Sequence, residues 1–215
     1  MIDFHTHSLL SDGILLPSEL VRYAEIMGYS AIGITDHIDF SNYDFVAKRI
    51  VKVVEKINKF ANVIVLPGVE ITHVPPDLIP DLAKKVRKFG VKIVIVHGET
   101  IAEPVAPNTN KMAVRSEIDI LAHPGLISHE DAKIARENNI FLEISARKGH
   151  CLTNGHVFKI AEEVGAKLII NSDAHSPEDL ISEDMARKIL LGAGADEEKV
   201  LEIFQNAEEL LNKLK

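Results

Sequence analysis

Nine residues of the kinds that ligate metals fall at the ends of apolar runs in this 215-residue chain. His5 and His7 form an H-x-H on the first run, and Asp12 follows in Ser11-Asp12-Gly13. His37 closes Thr35-Asp36-His37, and Glu70 closes Gly68-Val69-Glu70. His97, His123 and the pair Asp173/His175 come after three further runs. Imidazole and carboxylate are the usual ligands of Zn, Mn and Fe. One such residue at a strand end is ordinarily a cap or a satisfied polar group. Nine of them at successive run ends imply that the runs converge on one pocket.

The elements that must position these residues alternate. Short β-branched runs recur at 2–5, 31–35, 63–66, 92–96, 118–122, 141–144 and 167–171. They are nearly continuous in apolar character, which marks strands buried on both faces, as in parallel sheets. Helical patterns lie between them, at 17–28, 42–60, 77–89, 128–138 and 153–164. Seven strands alternating with helices predict a parallel α/β sheet. No Gly-rich phosphate loop follows the first strand, and the spacing is regular, so we expect a closed, TIM-like (β/α)7 barrel over one domain, residues 1–215. The tail 197–214 repeats apolar residues at helical spacing and should pack on the barrel.

In such barrels the active site lies at the C-terminal ends of the strands, where all nine residues fall. His5 and His7 are two apart and should point to one side of an extended chain. Asp173 and His175 repeat that spacing on the last strand. First and last strands are neighbours in a closed barrel, so the two pairs can face each other across one metal cluster.

The pattern resembles the PHP family of metal-dependent phosphoesterases, named for polymerase and histidinol phosphatase. The resemblance is carried by His5-Thr-His7-Ser8, Ser11-Asp12-Gly13, Thr35-Asp36-His37, Gly68-Val-Glu70, His97, Ala122-His123-Pro124-Gly125 and Ser172-Asp173-Ala174-His175-Ser176. Two stretches are closest to the small stand-alone phosphatase branch, His97-Gly-Glu-Thr-Ile-Ala-Glu103-Pro104-Val105 and Leu142-Glu143-Ile144. The resemblance implies a distorted (β/α)7 barrel with three divalent ions, Zn, Mn or Fe. It implies that His5, His7, Glu70 and Asp173 hold one ion. Glu70 would bridge to a second, held also by His97 and His123. Asp12, His37 and His175 would hold the third. Many relatives carry His where this chain has Asp12, and both types bind metals.

Other residues extend the site. Arg147-Lys148-Gly149-His150 follows the sixth run, the one run without a ligand. Arg147 is expected to clamp phosphate oxygens through its planar fork, with Lys148 and His150 as further substrate-binding candidates. Catalysis is expected to fall to Asp12, His37, Arg147 and His175. Asp36 reads as a supporting group, and Glu143 either faces the mouth or joins a buried ion pair. His73, His129 and His156 read as ordinary residues, and Cys151 as an inert thiol.

The expected reaction is hydrolysis of a small molecule's phosphate monoester, histidinol-phosphatase-like, through a metal-bridging hydroxide. The alternative is a 3'-5' exonuclease or nucleotide phosphodiesterase using the same three ions. Net charge −8, no Trp and 5% aromatics oppose a nucleic-acid track. An RNA-binding barrel without activity should be basic and should have lost ligands. An amidohydrolase would more often carry a bridging Lys. The start of the chain lacks the pattern of a signal peptide, no run is long enough to span a membrane, and one Cys cannot form an internal disulfide. These features suggest a cytoplasmic protein with a small phosphorylated substrate and no membrane partner. Homo-oligomerisation stays open.

Overall fold

A computed structural model describes residues 1–215. Seven parallel strands follow the order β1 (Ile2–Asp3), β2 (Ala31–Ile34), β4 (Ile64–Ile71), β5 (Ile93–His97), β6 (Ile120–Ala122), β7 (Phe141–Ser145) and β8 (Leu168–Asn171), while a short β3 (His37–Ile38) pairs with β4. The last gap closes at the top, where Thr6 bridges Ala174 and the His7 amide donates to the Ala174 carbonyl at 2.8 Å. The sheet is thus a nearly closed (β/α)7 barrel, as expected. Eight α-helices accompany it, of which α4 (Thr109–Ala113) and α7 (Glu183–Ala193) were not anticipated. No helix is long and apolar enough to cross a membrane.

One boundary differs in a way that matters for the site. The sequence pattern ends the run at 63–66 before Pro67-Gly68, yet β4 continues to Ile71. It changes partner midway. Residues 64–67 pair with β2, and residues 68–71 pair with β5. Pro67 therefore sits at the junction, and its carbonyl still accepts from the Lys92 amide at 2.8 Å. The extension carries Glu70 into the sheet, not onto a loop.

Alternation along the strands then builds two apolar layers. Val65, Val69, Ile71, Val94, Val96, Leu121, Leu142, Ile144, Leu168 and Ile170 face outward and join the shell between sheet and helices. Phe4, Ala31, Leu66, Ile93, Ile95, Ile120, Ala122, Phe141 and Ile169 form a separate cluster inside the barrel. The last helix, α8 (Glu197–Leu214), adds Ala207, Leu210, Leu211 and Leu214 to this inner cluster. It lies under the N-terminal ends of the strands as a floor.

Candidate metal centre

Above the apolar floor the inward positions of four strands turn polar. Glu70 follows Leu66 by four residues, His97 follows Ile95 by two, Glu143 follows Phe141 by two, and Asn171 follows Ile169 by two. The strand period that fills the barrel floor with Leu, Ile and Phe thus stacks ligands on top of it. His123 departs from this register. It comes directly after inward-facing Ala122, so alternation would turn it outward. Its backbone is left-handed, φ +27°, which turns the ring back into the mouth. Asp173, at φ +54°, and His73 at the cavity rim, at φ +52°, share that conformation, as do Asn108 and Asn139 outside the site. A non-glycine residue held there is strained by about 1–3 kcal/mol, and such strain concentrates at functional sites.

Distances fit an ion-binding centre. His5 Nε2 lies 3.2 Å from Glu70 Oε2 and 3.6 Å from Asp173 Oδ1. His7 Nε2 lies 3.6 Å from Glu70 Oε2 and 3.2 Å from Asp173 Oδ1. Ligands about 2.0–2.2 Å from a tetrahedral zinc are about 3.3–3.6 Å apart, so these four atoms are spaced as co-ligands. Glu70 Oε1 points the other way, 3.7 Å from His123 Nε2, so the two oxygens of Glu70 address different neighbours. Asp12 Oδ1 lies 3.5 Å from His37 Nε2 and 3.2 Å from His175 Nε2. His7 also lies close to His37 and His175, with ring centroids 4.2 and 4.1 Å away.

The strongest sign that cations belong here is a set of orphaned atoms. His5 Nε2, both nitrogens of His7, both carboxylate oxygens of Glu70, His123 Nδ1, His150 Nδ1 and Asp173 Oδ1 are buried with no well-aligned hydrogen-bond partner, although Glu70 Oε2 lies 2.8 Å from His37 Nδ1. The only other such atom is Ser172 Oγ. Each orphan costs about 1–3 kcal/mol. A fold does not gather eight of them on one spot unless something satisfies them. The donor set of imidazole and carboxylate fits divalent transition metals.

Supporting bonds fix which atoms face the ions. Glu143 Oε1 is 2.8 Å from His5 Nδ1, which presents the opposite nitrogen, Nε2, to the centre. Glu143 Oε2 accepts from the His123 amide at 3.0 Å and holds that strained residue, while Asn171 Nδ2 donates to Oε1 at 2.8 Å. Of the two readings of Glu143, the buried pair is the one observed. Thr72 Oγ1 is 2.6 Å from His37 Nδ1. Asp36 accepts from the Ser8 amide, Ser8 Oγ and Ser11 Oγ at 2.7–2.8 Å and fastens the loop that carries Asp12.

Electrostatics divide the ligands: against the pull of burial, Glu143 and Glu70 hold His5 well above the usual imidazole range and Glu70 raises His37, while other groups are set in their ligating forms. Burial, then His37, hold His7 well below the usual imidazole range. Burial and His97 do the same for His123. Neutral imidazole is the form that binds metal. Burial alone would raise Glu70, but His5 and His37 more than offset it and keep the carboxyl well below its ordinary range. Burial pushes Asp173 up to about 7.

The centre opens into a cavity of about 480 Å³. Among its fifteen lining residues Ile38 is the single apolar one, and Arg147 is the sole Lys or Arg. The Arg147 Nη1 donates to the Asp173 carbonyl at 3.1 Å and sits 2.8 Å from His175 Nδ1. Lys148 is exposed and does not line the cavity. His150 does line it, but its Nε2 is 3.3 Å from Glu103 Oε1 and its ring packs 4.1 Å from that of His123. His73 also reaches the rim, 3.2 Å from Glu103. His129 instead pairs on the surface with Glu163, and His156 caps the Ile127 carbonyl. The sequence marks Glu103 only as part of a motif. It lies six residues beyond β5, where no strand period points to the mouth.

Comparison with known proteins agrees with this geometry. The sequence profile of the PHP domain matches residues 3–98. An uncharacterized protein of Methanocaldococcus jannaschii is 52% identical over 194 residues, 89% of each chain. A protein of Thermoanaerobacter sp. (strain X514) named a probable phosphatase is 28% identical, over 94% of this chain and 89% of its own. A chain in a cryo-EM structure of archaeal ribonuclease P with mature tRNA superposes with TM-score 0.75 at 18% identity, over 99% of this chain and 90% of that one. That last likeness is one of fold.

Proposed function

Because the chain belongs to the PHP family of metal-dependent phosphoesterases, we propose that it hydrolyses a phosphate monoester of a small molecule. The observation that carries this reading is the convergence of orphaned imidazole and carboxylate atoms beneath a polar cavity that holds one guanidinium. Divalent ions bound there supply a nucleophile at neutral pH by lowering the pKa of water to about 7, and they offset phosphate charge. The chain's own groups do the rest. His5, His7, Glu70 and Asp173 would hold one ion, Glu70 with His97 and His123 a second, and Asp12, His37 and His175 a third. Arg147, held at the rim by the Asp173 carbonyl and His175, offers the rest of its guanidinium to the phosphate oxygens not bonded to the leaving group and stabilises them as charge builds.

The cavity favours a small substrate over a polymer. Its volume is that of a metabolite pocket, and no Phe, Tyr or Trp lines it to stack a base. The net charge of −8 disfavours a track for nucleic acid, and also the RNA-bound role of barrels that share the fold. Protein reloaded with Mn, Zn or Fe should hydrolyse p-nitrophenyl phosphate at least a hundredfold better, in kcat/KM, than bis-p-nitrophenyl phosphate or single-stranded DNA. A preference for the diester or for DNA would replace this reading with a phosphodiesterase or exonuclease. Activity on an amide panel alone would replace it with an amidohydrolase.

A further inference from the structure

The loop between β5 and α4, residues 98–108, folds back over the barrel mouth and is fastened at its base. The Glu99 amide donates to Asn110 Oδ1 and the Asn110 amide donates to Glu99 Oε1, both at 2.9 Å. Asn110 Nδ2 then donates to the Pro124 carbonyl at 2.7 Å, tying the loop to the segment after β6. The two segments are pressed together so closely that only glycine fits between them. A Cβ on Gly98 would lie 2.2 Å from the Ala122 carbonyl oxygen, and one on Gly125, at φ +61°, 1.8 Å from the Glu99 carbonyl oxygen. A loop so clasped aims its tip.

The tip is Glu103. Its Oε2 lies 3.2 Å from His73 Nε2 and 3.3 Å from His97 Nε2, and its Oε1 lies 3.3 Å from His150 Nε2. His150 is buried, with its Nδ1 unpaired. Its ring centroid is 4.1 Å from that of His123 and 5.7 Å from that of His97. His97, His123 and His150 each offer a ligand atom within 4.8 Å of the others. Besides these contacts, the buried Nδ1 atoms of both His123 and His150 have no partner. One cation can lie within reach of all three imidazoles, and the 3.3 Å spacing of Glu103 from His97 Nε2 and from His150 Nε2 is that of neighbouring ligands on one ion.

We propose that His150 and Glu103 complete the ligand shell of the ion held by His97 and His123. The inference rests on the metal-centre reading above. It takes His150 away from the substrate and gives Glu103 a role outside the nine-residue set. It also makes the two ends of the centre unlike. At the His97 end the ion is enclosed by buried His123 and His150 and roofed by Glu103. At the other end Asp12, whose side chain is 55% exposed, leaves its ion open to solvent. Closed shells hold metal and open ones present it to water and substrate.

The test is metal retention. Protein loaded with cobalt is challenged with a chelator, and release is followed by elemental analysis and by the visible cobalt bands. Glu103→Gln and His150→Gln should each speed release of the slowest-leaving ion at least tenfold and change its band shape. Asp12→Asn should leave that slow ion alone and weaken a faster one. Glu103 stands on a surface loop, so its variant folds even if the buried His150 variant does not, and circular dichroism checks both. Wild-type protein that binds no cobalt overturns the metal centre and this inference together. Slow release kept in Glu103→Gln, with cobalt bound as in wild type, overturns this inference alone. Such a result accompanied by a lower KM would make Glu103 a plug on the substrate path.

Discussion

The two ends of the barrel treat buried polar atoms in opposite ways. At the floor, α8 lays Leu210, Leu211 and Leu214 against the inner cluster, and its buried polar residue is satisfied, with Asn206 Nδ2 donating to the Leu168 carbonyl at 3.0 Å. At the mouth, about 10 Å up the same strands, burial is just as complete but eight polar atoms lack partners. Hydrophobic area at the floor stabilises the fold. The mouth carries strained backbone at His123 and Asp173 and unpaired charge, and draws on that stability. The difference teaches that in this chain the floor specifies the structure and the mouth specifies what it binds.

Exchanging a residue at each end puts that division at risk most directly. His123→Ala should abolish phosphoester hydrolysis, by about a thousandfold or more, and lower ion content, while metal-free protein stays folded with stability close to wild type, because the orphaned nitrogen is removed while the strain of the positive-φ backbone, which any Cβ feels, remains. Leu210→Ala should do the reverse. A fully buried leucine lost from a core costs about 2–5 kcal/mol, and the folded fraction should keep wild-type kcat/KM. Thermal unfolding and steady-state kinetics on both variants read the cross. If Leu210→Ala lost activity while folded, or if His123→Ala unfolded, the two ends would not be separable.

How legible this division is in the sequence depends on where each residue sits. The nine ligand candidates stand at or just past the ends of apolar runs, which the sequence pattern marks, and the structure brings all nine to one mouth, although His123 leaves strand register and Asp12 comes from a turn. β4 was read too short because Pro67-Gly68 ordinarily stops a strand. Here it marks a change of partner, which is a property of the neighbours. α7 could have been found. Ser182 caps it by accepting from the Met185 amide at 3.2 Å, and Gly194 ends it in a left-handed conformation. Glu143 and Asp36 act through bonds to residues 138 and 28 positions away, and Glu103 through a loop clasp. No local pattern encodes these. Lys148 and His150 were grouped with Arg147 by adjacency, but a tight turn sends Lys148 to solvent and His150 inward.

A smaller effect sharpens the border between the centre and its cavity. Arg147 touches both, through the Asp173 carbonyl and through open space. Arg147→Ala should raise KM for a phosphomonoester and lower kcat/KM by about tenfold to a thousandfold, or about 1.4–4 kcal/mol of transition-state binding. Arg147→Lys should recover only part, lacking the planar fork. Ion content should match wild type in both. A fall in ion content with KM unchanged would make Arg147 a support for Asp173 and His175, on the centre's side of the border.

The smallest effect probes the layer between floor and mouth, where Asp3 is wholly buried. Its carboxylate accepts from the His5 amide at 3.1 Å and from the Ser172 amide at 3.2 Å, and so ties the ends of the first and last strands together. Burial nevertheless raises its pKa from 3.8 to about 6, those hydrogen bonds offsetting only part of the cost. A carboxyl whose folded pKa lies above its unfolded one binds its proton more tightly in the native state. Its contribution is therefore fully present below about pH 4 and is lost as pH rises through 6. The loss amounts to about 2–3 kcal/mol at most. Asp3→Asn keeps an acceptor oxygen and removes the charge. Followed by thermal unfolding of metal-free protein, the Tm of the variant relative to wild type should climb by a few degrees between pH 4.5 and pH 7.5, then level off. A difference that stayed flat with pH would mean that Asp3 is ionised at no net cost. The satisfied layer would then reach up to the metal ligands, and the orphaned atoms alone would mark where the floor ends.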